Sequence, residues 1–154
     1  MLEMTADEGV KRFTRVPLGA DAAFVTSWID RYERGWEDGS CAGFTVREAE
    51  SDAYLGFAGI VSLDLDGLEG EIGYMTLPAA RGRGVASRSV DLLTAWAFSD
   101  LGLERLELRI DVANAASEAI ARRNGYTLEG IRRSAYVKDG QRADTGVWSR
   151  LPGD

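Results

Sequence analysis

Apolar residues recur at two spacings along the chain, and the change from one spacing to the other marks its helices and strands. Spacing of three to four residues predicts helices at residues 5–13, 21–36, 85–100 and 115–123. Alternating or continuous apolar runs predict strands at residues 42–47, 54–63, 68–77, 106–112, 126–137 and 143–151. Within 106–112, for example, Leu106, Leu108 and Ile110 alternate with charged residues, which is typical of a half-buried strand.

Capping residues and connection lengths indicate how these elements are joined. Thr5 is predicted as the N-cap of the first helix, with Glu8 at the capping-box position, and Asn114 as the N-cap of the last. The strand, helix and strand of residues 69–112 imply a parallel pair with a right-handed crossover. The hairpins on either side add antiparallel neighbours. We therefore expect a mixed sheet of the α/β or α+β class, within one domain over residues 1–154.

The segment 79–90 links a strand to a helix and carries three arginines without a carboxylate, although the formal net charge of the chain is −7. A helix start has unpaired backbone N–H groups, and Gly82 and Gly84 would let a ligand approach them closely. The pattern indicates an anion site for a phosphate or pyrophosphate, with an ordinary surface turn as the alternative. The P-loop pattern is absent, and Ser87 stands where a dinucleotide fingerprint has its third glycine.

The composition restricts the chemistry further. The chain has no histidine, which excludes Ser-His-Asp and Cys-His catalysis and histidine-ligated zinc. A pI near 4.7 argues against nucleic-acid binding and suits an amine substrate, although the acidic residues are also what solubility requires. The single cysteine, Cys41, the absence of a signal-peptide pattern and the absence of a membrane-length apolar run predict a cytoplasmic protein without membrane contact.

Several motifs in register resemble the GNAT N-acyltransferases, and among these the RimL/RimJ-like branch. Arg81-x-x-Gly84-x-Ala86 is similar to the acyl-CoA signature of the family, Gln/Arg-x-x-Gly-x-Gly/Ala. Asn114-x-x-Ser117 and the run 124–133 are similar to the Asn-x-x-Ser and Gly-Phe/Tyr…Glu-Gly-x-x-Arg runs of that branch. The resemblance covers most of the chain and also includes Gly35-Trp36, Glu71-Ile72-Gly73-Tyr74 and Trp148-Ser149.

The resemblance implies a mixed, mostly antiparallel sheet of about six to seven strands flanked by about four helices. Family members usually begin with a strand, but only residues 1–4 precede the first predicted helix, so we expect a short or missing first strand. Acetyl-CoA, or another acyl-CoA, is the implied cofactor, and an amine is the implied acceptor. Acceptors in this branch include protein N-terminal amines and small amines, and a homodimer is one of the assemblies left open.

The resemblance also implies how the cofactor is held. Backbone N–H groups of residues 82–86 would bind the pyrophosphate, and the end of the preceding strand would pair with the pantetheine amides like an added strand. Asn114 would bind the pantetheine arm, with a plain N-cap as its alternative, and Arg122 or Arg123 would reach the adenosine phosphates, with a solvated face as the alternative. The predicted cofactor residues are Met75, Thr76, Leu77, Arg81, Gly82, Arg83, Gly84, Val85, Ala86, Asn114, Ser117 and Arg123.

Direct attack of an amine on the thioester needs a base for the amine proton and a donor for the leaving sulfur. Glu71 is the predicted base, with Glu69 as a weaker competitor, because a strand carboxylate between apolar neighbours can be tuned for proton transfer. Many relatives carry a tyrosine donor where this chain has Ala121, so Ser117 is the predicted donor, with a plain helix-start role as its alternative. A catalytically silent acyl-CoA-binding module stays open. The expected walls of the acceptor cleft are Trp28, Tyr32, Trp36, Tyr136 and Trp148.

Overall fold

The computed structural model describes residues 1–154, and its strands form one six-stranded sheet. The strands are β1 (Ala42–Arg47), β2 (Tyr54–Asp64), β3 (Glu69–Thr76), β4 (Arg105–Asp111), β5 (Thr127–Lys138) and β6 (Gln141–Arg150). The helices are α1 (Leu2–Thr5), α2 (Glu8–Phe13), α3 (Ala22–Asp38), α4 (Val85–Ser99) and α5 (Ala115–Arg123), with a 3₁₀ turn at Pro78–Ala80. The strand order is β1-β2-β3-β4-β6-β5, and β3–β4 is the parallel pair. The mixed, mostly antiparallel sheet is confirmed.

The N-terminal residues form α1 and α2 and no strand, which agrees with the expectation of a short or missing first strand. The prediction of Thr5 as an N-cap was wrong. Thr5 ends α1, and its hydroxyl donates to the Leu2 carbonyl at 2.8 Å, which satisfies it within that turn. Asp7 caps α2 instead, because its carboxylate accepts from the Val10 N–H at 2.9 Å. The predicted first helix is therefore two short helices.

Two apolar clusters lie on opposite faces of the sheet. The larger joins α4 and α5 to the central strands, and its fully buried members include Val90 of α4 and Leu106 of β4. The smaller joins the N-terminal helices to the other face and includes Met4 and Tyr32. Replacing a fully buried leucine such as Leu106 with alanine lowers folding stability by about 2–5 kcal/mol. The packed core therefore holds the sheet in place, and the sheet positions the loops at its edges.

β3 and β4 part soon after they begin to pair. Their parallel register covers only Glu69–Glu71 against Arg105–Glu107. Beyond that point β3 continues to pair with β2, and β4 with β6, but the two strands no longer pair with each other. The second half of β3 therefore has a neighbouring strand on the β2 side but none on the β4 side. The turn that leads into α4 follows directly.

No helix of the chain combines the length and the apolar character needed to cross a membrane.

Candidate active site

The turn before α4 presents a row of unpaired backbone donors. Gly82 and Gly84 have φ values of +73° and +77°, and the space that a Cβ would occupy at either glycine is open. No backbone N–H from Gly82 to Ser87 has a hydrogen-bond partner in the chain. The start of α4 has neither a side-chain cap nor an acidic residue in its first turn. Unpaired N–H groups at a helix start attract an anion, and this turn has the shape and polarity of a phosphate site.

The arginines of the turn are held by carboxylates from distant segments. Arg81 pairs with Asp7 and also donates to the Thr76 carbonyl at 3.3 Å. The Arg81 hydrogen bond is the main reason that the pKa of Asp7 lies below its ordinary value. Arg83 pairs with Glu48, whose pKa is lowered first by the Ser51 hydroxyl and then by Arg83. The backbone of the turn is thus free for a ligand, whereas both guanidiniums already have partners.

The end of β3 lies beside this turn with one edge unpaired. Met75 and Thr76 pair with β2 on one side, and no strand pairs with them on the other. The Leu77 N–H donates to the Leu55 carbonyl at 2.9 Å and is not free for a ligand. An extended amide-bearing molecule could add to the open edge as an extra strand.

The head of α5 brings two further predicted residues to the region after β4. Asn114 is the N-cap, as predicted, and its side-chain oxygen accepts from the Ser117 N–H at 3.1 Å. The amide NH₂ of Asn114 is left to donate elsewhere. The Ser117 hydroxyl makes no hydrogen bond to the backbone, so Asn114 rather than Ser117 satisfies the helix start. The role of Ser117 in the reaction stays a prediction.

The two arginines at the end of α5 differ in their surroundings. Arg122 donates to Glu118 at 2.9 Å and lies over the Trp148 ring, 4.9 Å from its centroid. Arg123 is exposed and forms no ion pair. Asn124 follows them and is buried, and its amide donates to the Ser87 hydroxyl at 3.0 Å. That contact fastens the end of α5 to the first turn of α4, and nothing in the local sequence pattern indicated it.

Glu71 lies in a charged row on the sheet with Arg109 and Glu107. Its carboxylate is 3.3 Å from the guanidinium of Arg109, and the Glu71 side chain is only 16% exposed. Arg109 also pairs with Glu107 at 3.0 Å. Burial raises the pKa of Glu107, but hydrogen bonds and charge from Arg105 and Arg109 outweigh burial and leave that pKa lowered. The expectation of apolar surroundings for Glu71 was wrong, because the neighbouring strand places Arg109 beside it.

Tyr74 lies on β3, three residues beyond Glu71, and the sequence argument gave it no role. Strand alternation puts Tyr74 on the same face as Ile72, packed against the larger core. Its hydroxyl is buried without a hydrogen-bond partner. Burial raises the pKa of Tyr74. The available signal was the two-residue period of β3, which separates Tyr74 from Glu71.

The aromatic residues expected around the acceptor do not form one wall. Trp28 and Tyr32 pack on Phe57 in the smaller core. Trp148 is 2% exposed within the larger core, on the opposite face of the sheet. Trp36 stacks on Trp96, and Tyr136 donates its hydroxyl to the Thr14 carbonyl at 2.8 Å. Trp148 and Tyr32 are core residues, as buried aromatics usually are.

Known proteins share this fold and this sequence pattern. The family model described as "Acetyltransferase (GNAT) domain" matches residues 1–127. An uncharacterized N-acetyltransferase, p20 of Bacillus licheniformis, is 27% identical over 146 residues, which are 95% of this chain and 82% of that protein. The structure of RimL, a ribosomal L7/L12 α-N-protein acetyltransferase in complex with coenzyme A, has a TM-score of 0.85 at 20% identity and covers 97% of this chain and 84% of its own.

A spermidine N-acetyltransferase from Vibrio cholerae, in complex with CoA and spermine, has a TM-score of 0.83 at 16% identity. That likeness covers 96% of this chain and 85% of the enzyme's own. At such identities the solved structures establish the fold, while the family model covers most of the chain and includes the glycine turn and the head of α5. The chain therefore belongs to the GNAT acetyltransferase family, whose members use an acyl-CoA as the acetyl donor.

Proposed function

We propose that this protein transfers the acetyl group of acetyl-CoA to a primary amine, at the gap where β3 and β4 part. The observation that carries the proposal is the run of unpaired N–H groups from Gly82 to Ser87 beside the unpaired edge of β3. A pyrophosphate needs clustered donors, and a pantetheine arm needs an open strand edge. Both features adjoin here, and neither is explained by the folding of the chain alone.

Different residues around the gap would bind different parts of the cofactor. The N–H groups of the turn would bind the pyrophosphate oxygens, and the open glycines would let those oxygens approach the backbone. The edge at Met75 and Thr76 would pair with the pantetheine amides, and the free NH₂ of Asn114 would donate to the same arm. Arg123 is the uncommitted cation of α5 and would meet the adenosine phosphates. Another short acyl-CoA would meet the same contacts.

Glu71 and Ser117 would be the catalytic residues of the acetyl transfer. An ammonium has no free lone pair, so the acceptor must lose a proton before it can attack, and Glu71 would take that proton directly or through a water. Arg109, 3.3 Å from the carboxylate, would hold it in one position. The Ser117 hydroxyl would donate a hydrogen bond to the sulfur as it leaves, because no backbone group competes for it.

The acceptor class that suits the chain is a cationic amine, either a protein N-terminus or a small amine. The net charge of −7 attracts cations over distances of about a Debye length, roughly 8–10 Å at physiological salt. RimL acts on a protein α-amine and the Vibrio enzyme on spermidine, so both kinds of acceptor occur on this fold. We propose that a protein α-amine and a small polyamine be the first acceptors tested.

A silent acyl-CoA-binding module is the second candidate, because the predicted base is already engaged by Arg109 and α5 has Ala121 where many relatives have a tyrosine. Binding alone would need the turn and the strand edge but neither Glu71 nor Ser117. The two candidates agree on the cofactor and differ on turnover.

Release of CoA thiol from acetyl-CoA distinguishes the two candidates. The assay would use spermidine, a peptide with a free N-terminal serine, and lysine as acceptors, with mass spectrometry of the products. Acceptor-dependent release with a matching acetylated product supports the enzyme. CoA binding by calorimetry without release from any acceptor would support the silent module.

We also propose that residues 1–154 form one acyltransferase domain and that it works in the cytoplasm, where acyl-CoA is available and the buried Cys41 stays reduced. A homodimer stays a prediction, which sedimentation equilibrium checks.

A further inference from the structure

We infer that Lys138 is a positioning residue of the acetyl transfer. Its ammonium fastens residues 7–16, called the strap below, across the gap between β3 and β4, where the strap forms a wall for the acceptor amine. This inference rests on the proposed function and extends it to the acceptor side of the site. Lys138 is the last residue of β5, at the hairpin that joins β5 to β6.

The first end of the strap is attached beside the turn that follows β3. Asp7 caps α2 and pairs with Arg81, the residue just before Gly82. Arg81 also donates to the carbonyl of Thr76, the last residue of β3. The strap therefore begins on the β3 side of the gap.

The other end of the strap is attached to the β5–β6 hairpin. Lys138 Nζ donates to the carbonyls of Thr14 at 2.7 Å and Val16 at 2.6 Å, and also to the carbonyl of Lys11. The Tyr136 hydroxyl donates to the same Thr14 carbonyl. One ammonium thus binds three backbone carbonyls of a segment more than 120 positions away in the sequence.

The hairpin lies on the β4 side of the gap and extends past the end of β4. Asp111, the last residue of β4, faces Thr145 of β6, whereas the final pairs of the hairpin, residues 136–138 with 141–143, lie further along. Parallel strands end at the same edge of a sheet, so the ends of β3 and β4 are neighbours. A segment attached beyond both must cross the space between them. The six residues of α2 span about 9 Å, which is about two strand spacings.

The strap adjoins the face of the sheet on which Glu71 lies. Alternation along β3 puts Glu71 on the same face as Met75, which packs against the smaller core. Met4 of α1, three residues before the strap, belongs to that core. An amine that approaches Glu71 from this face would therefore enter beside the strap.

The strap depends on contacts outside itself for its order. An isolated helix shorter than about 12–15 residues is marginal in water, and α2 has six. Lys138 binds carbonyls at the C-terminal end of α2, where a cation is favourable. The ammonium gives up water to do so, and burial lowers the pKa of Lys138. A chain without this lysine would have a looser strap.

A loose strap would weaken binding of the acceptor more than binding of the cofactor. The acceptor would have to order the strap when it binds, and that ordering reduces affinity. The proposed cofactor contacts lie on the turn before α4 and on the edge of β3, which keep their positions. The loss of Lys138 should therefore raise the KM of the acceptor and change kcat and CoA affinity little.

The test compares Lys138→Met with Lys11→Met, a matched control because these are the only two lysines of the chain. Both variants remove one positive charge, but Lys11 Nζ bonds Glu8 of its own helix. With acetyl-CoA and either spermidine or a peptide with an N-terminal serine, we expect Lys138→Met to raise the acceptor KM about tenfold. Its kcat and CoA affinity should stay within about twofold of wild type. Lys138→Arg keeps a cationic donor and should lie closer to wild type, and Lys11→Met should match wild type.

Hydrogen exchange provides a second readout that needs no turnover. The N–H groups of Lys11 and Thr14 donate to the carbonyls of Asp7 and Val10 within the strap. These two amides should exchange faster in Lys138→Met than in wild type, whereas the amides of α4 should be unchanged.

Tyr126→Phe controls for a general loss of stability, because it removes a hydrogen bond to Thr94 in the larger core, on the other face of the sheet. It should melt lower than wild type and keep its acceptor KM. An unchanged acceptor KM in Lys138→Met, an equal rise in Lys11→Met or Tyr126→Phe, or unchanged exchange in the strap would each overturn the inference. A wild-type protein that releases no CoA with either acceptor would overturn the proposed function, and faster exchange in Lys138→Met would then leave Lys138 with a structural role alone.

Discussion

The turn before α4 and the charged row beside Glu71 border the same gap in the sheet, but they differ in whether their polar groups have partners. The turn leaves its backbone donors from Gly82 to Ser87 unpaired and open to solvent. The charged row pairs Glu71 with Arg109, which also pairs with Glu107. Unpaired donors are ready for an anion that arrives from outside. Paired charges hold a carboxylate in place but must be rearranged when it accepts a proton. On the proposed function, the turn is ready to bind its ligand, whereas proton transfer at Glu71 would require the Arg109 ion pair to rearrange.

The largest effect should come from Glu71→Gln, which keeps the size of the side chain but cannot take a proton. We expect kcat to fall by roughly 10²–10⁴-fold, the range for a positioned general base, while CoA affinity stays near wild type. The loss should shrink at high pH, where free amine is abundant. Rate profiles against pH for both proteins with one acceptor would measure this.

Glu69→Gln is the matched control, because Glu69 lies on the same strand, is 54% exposed and has only a long contact of 4.0 Å with Arg105. Its profile should follow wild type. If the profiles of Glu71→Gln and wild type were parallel and of equal height, Glu71 would have no part in the chemistry.

Gly84→Val should produce the next largest effect, which is a loss of CoA affinity caused by a change in the turn rather than in the charged row. A β-branched side chain at a φ of +77° would distort the turn and block approach to its N–H groups. CoA affinity measured by calorimetry should fall by tenfold or more, about 1.4 kcal/mol. Gly102→Val carries a similar backbone strain, at a φ of +66°, but lies beyond the far end of α4. That control should lose stability and keep its CoA affinity. Equal affinities for both variants would remove the turn from the site.

Ser117→Ala should have a smaller effect and should separate rate from binding. Loss of one hydrogen bond to the leaving sulfur predicts a fall in kcat of about three- to tenfold, with little change in CoA affinity. Ser99→Ala, which removes the hydroxyl of another helical serine at the end of α4, should leave both quantities unchanged. An unaltered kcat in Ser117→Ala would leave that serine without a role in the reaction.

The smallest effect should come from Glu48→Gln, which frees Arg83 to reach a bound phosphate. Exposed ion pairs are weak, so CoA affinity should rise only about twofold at low salt and converge with wild type at high salt. Glu50→Gln removes the same charge from the same connection between β1 and β2, but Glu50 forms no ion pair with the turn. If both variants raised affinity equally, net charge rather than release of Arg83 would explain the change.

Local patterns in the sequence predicted the parts of this structure that depend on neighbours along the chain. The period of two in β4, the capping by Asn114 and the glycine turn before α4 all depend on residues a few positions apart. The predicted last helix has the bounds Ala115–Arg123 of α5 itself. The predicted start of the first helix was wrong because Thr5 and Asp7 are both good N-cap residues, and the choice between them depends on packing of α1.

Contacts between distant residues could not be predicted in this way. Arg81 and Asp7 are 74 positions apart, and Arg83 and Glu48 are 35 apart, so no spacing rule connects them. Arg109 beside Glu71 depends on the parallel register of β3 and β4, which the sequence predicted as a pair but not residue by residue. The free hydroxyl of Tyr74 is visible only once its neighbours are known.

The most direct measurement follows the backbone amides of Gly82 to Ser87 by ¹⁵N–¹H NMR while CoA is added. Because these N–H groups have no partner in the free protein, the pyrophosphate should give them new hydrogen bonds and move their proton resonances downfield. The amides of Gly102 and Leu103 at the far end of α4 should not move. Saturable CoA binding that left the resonances of the turn in place would contradict the assignment of this turn as the cofactor site.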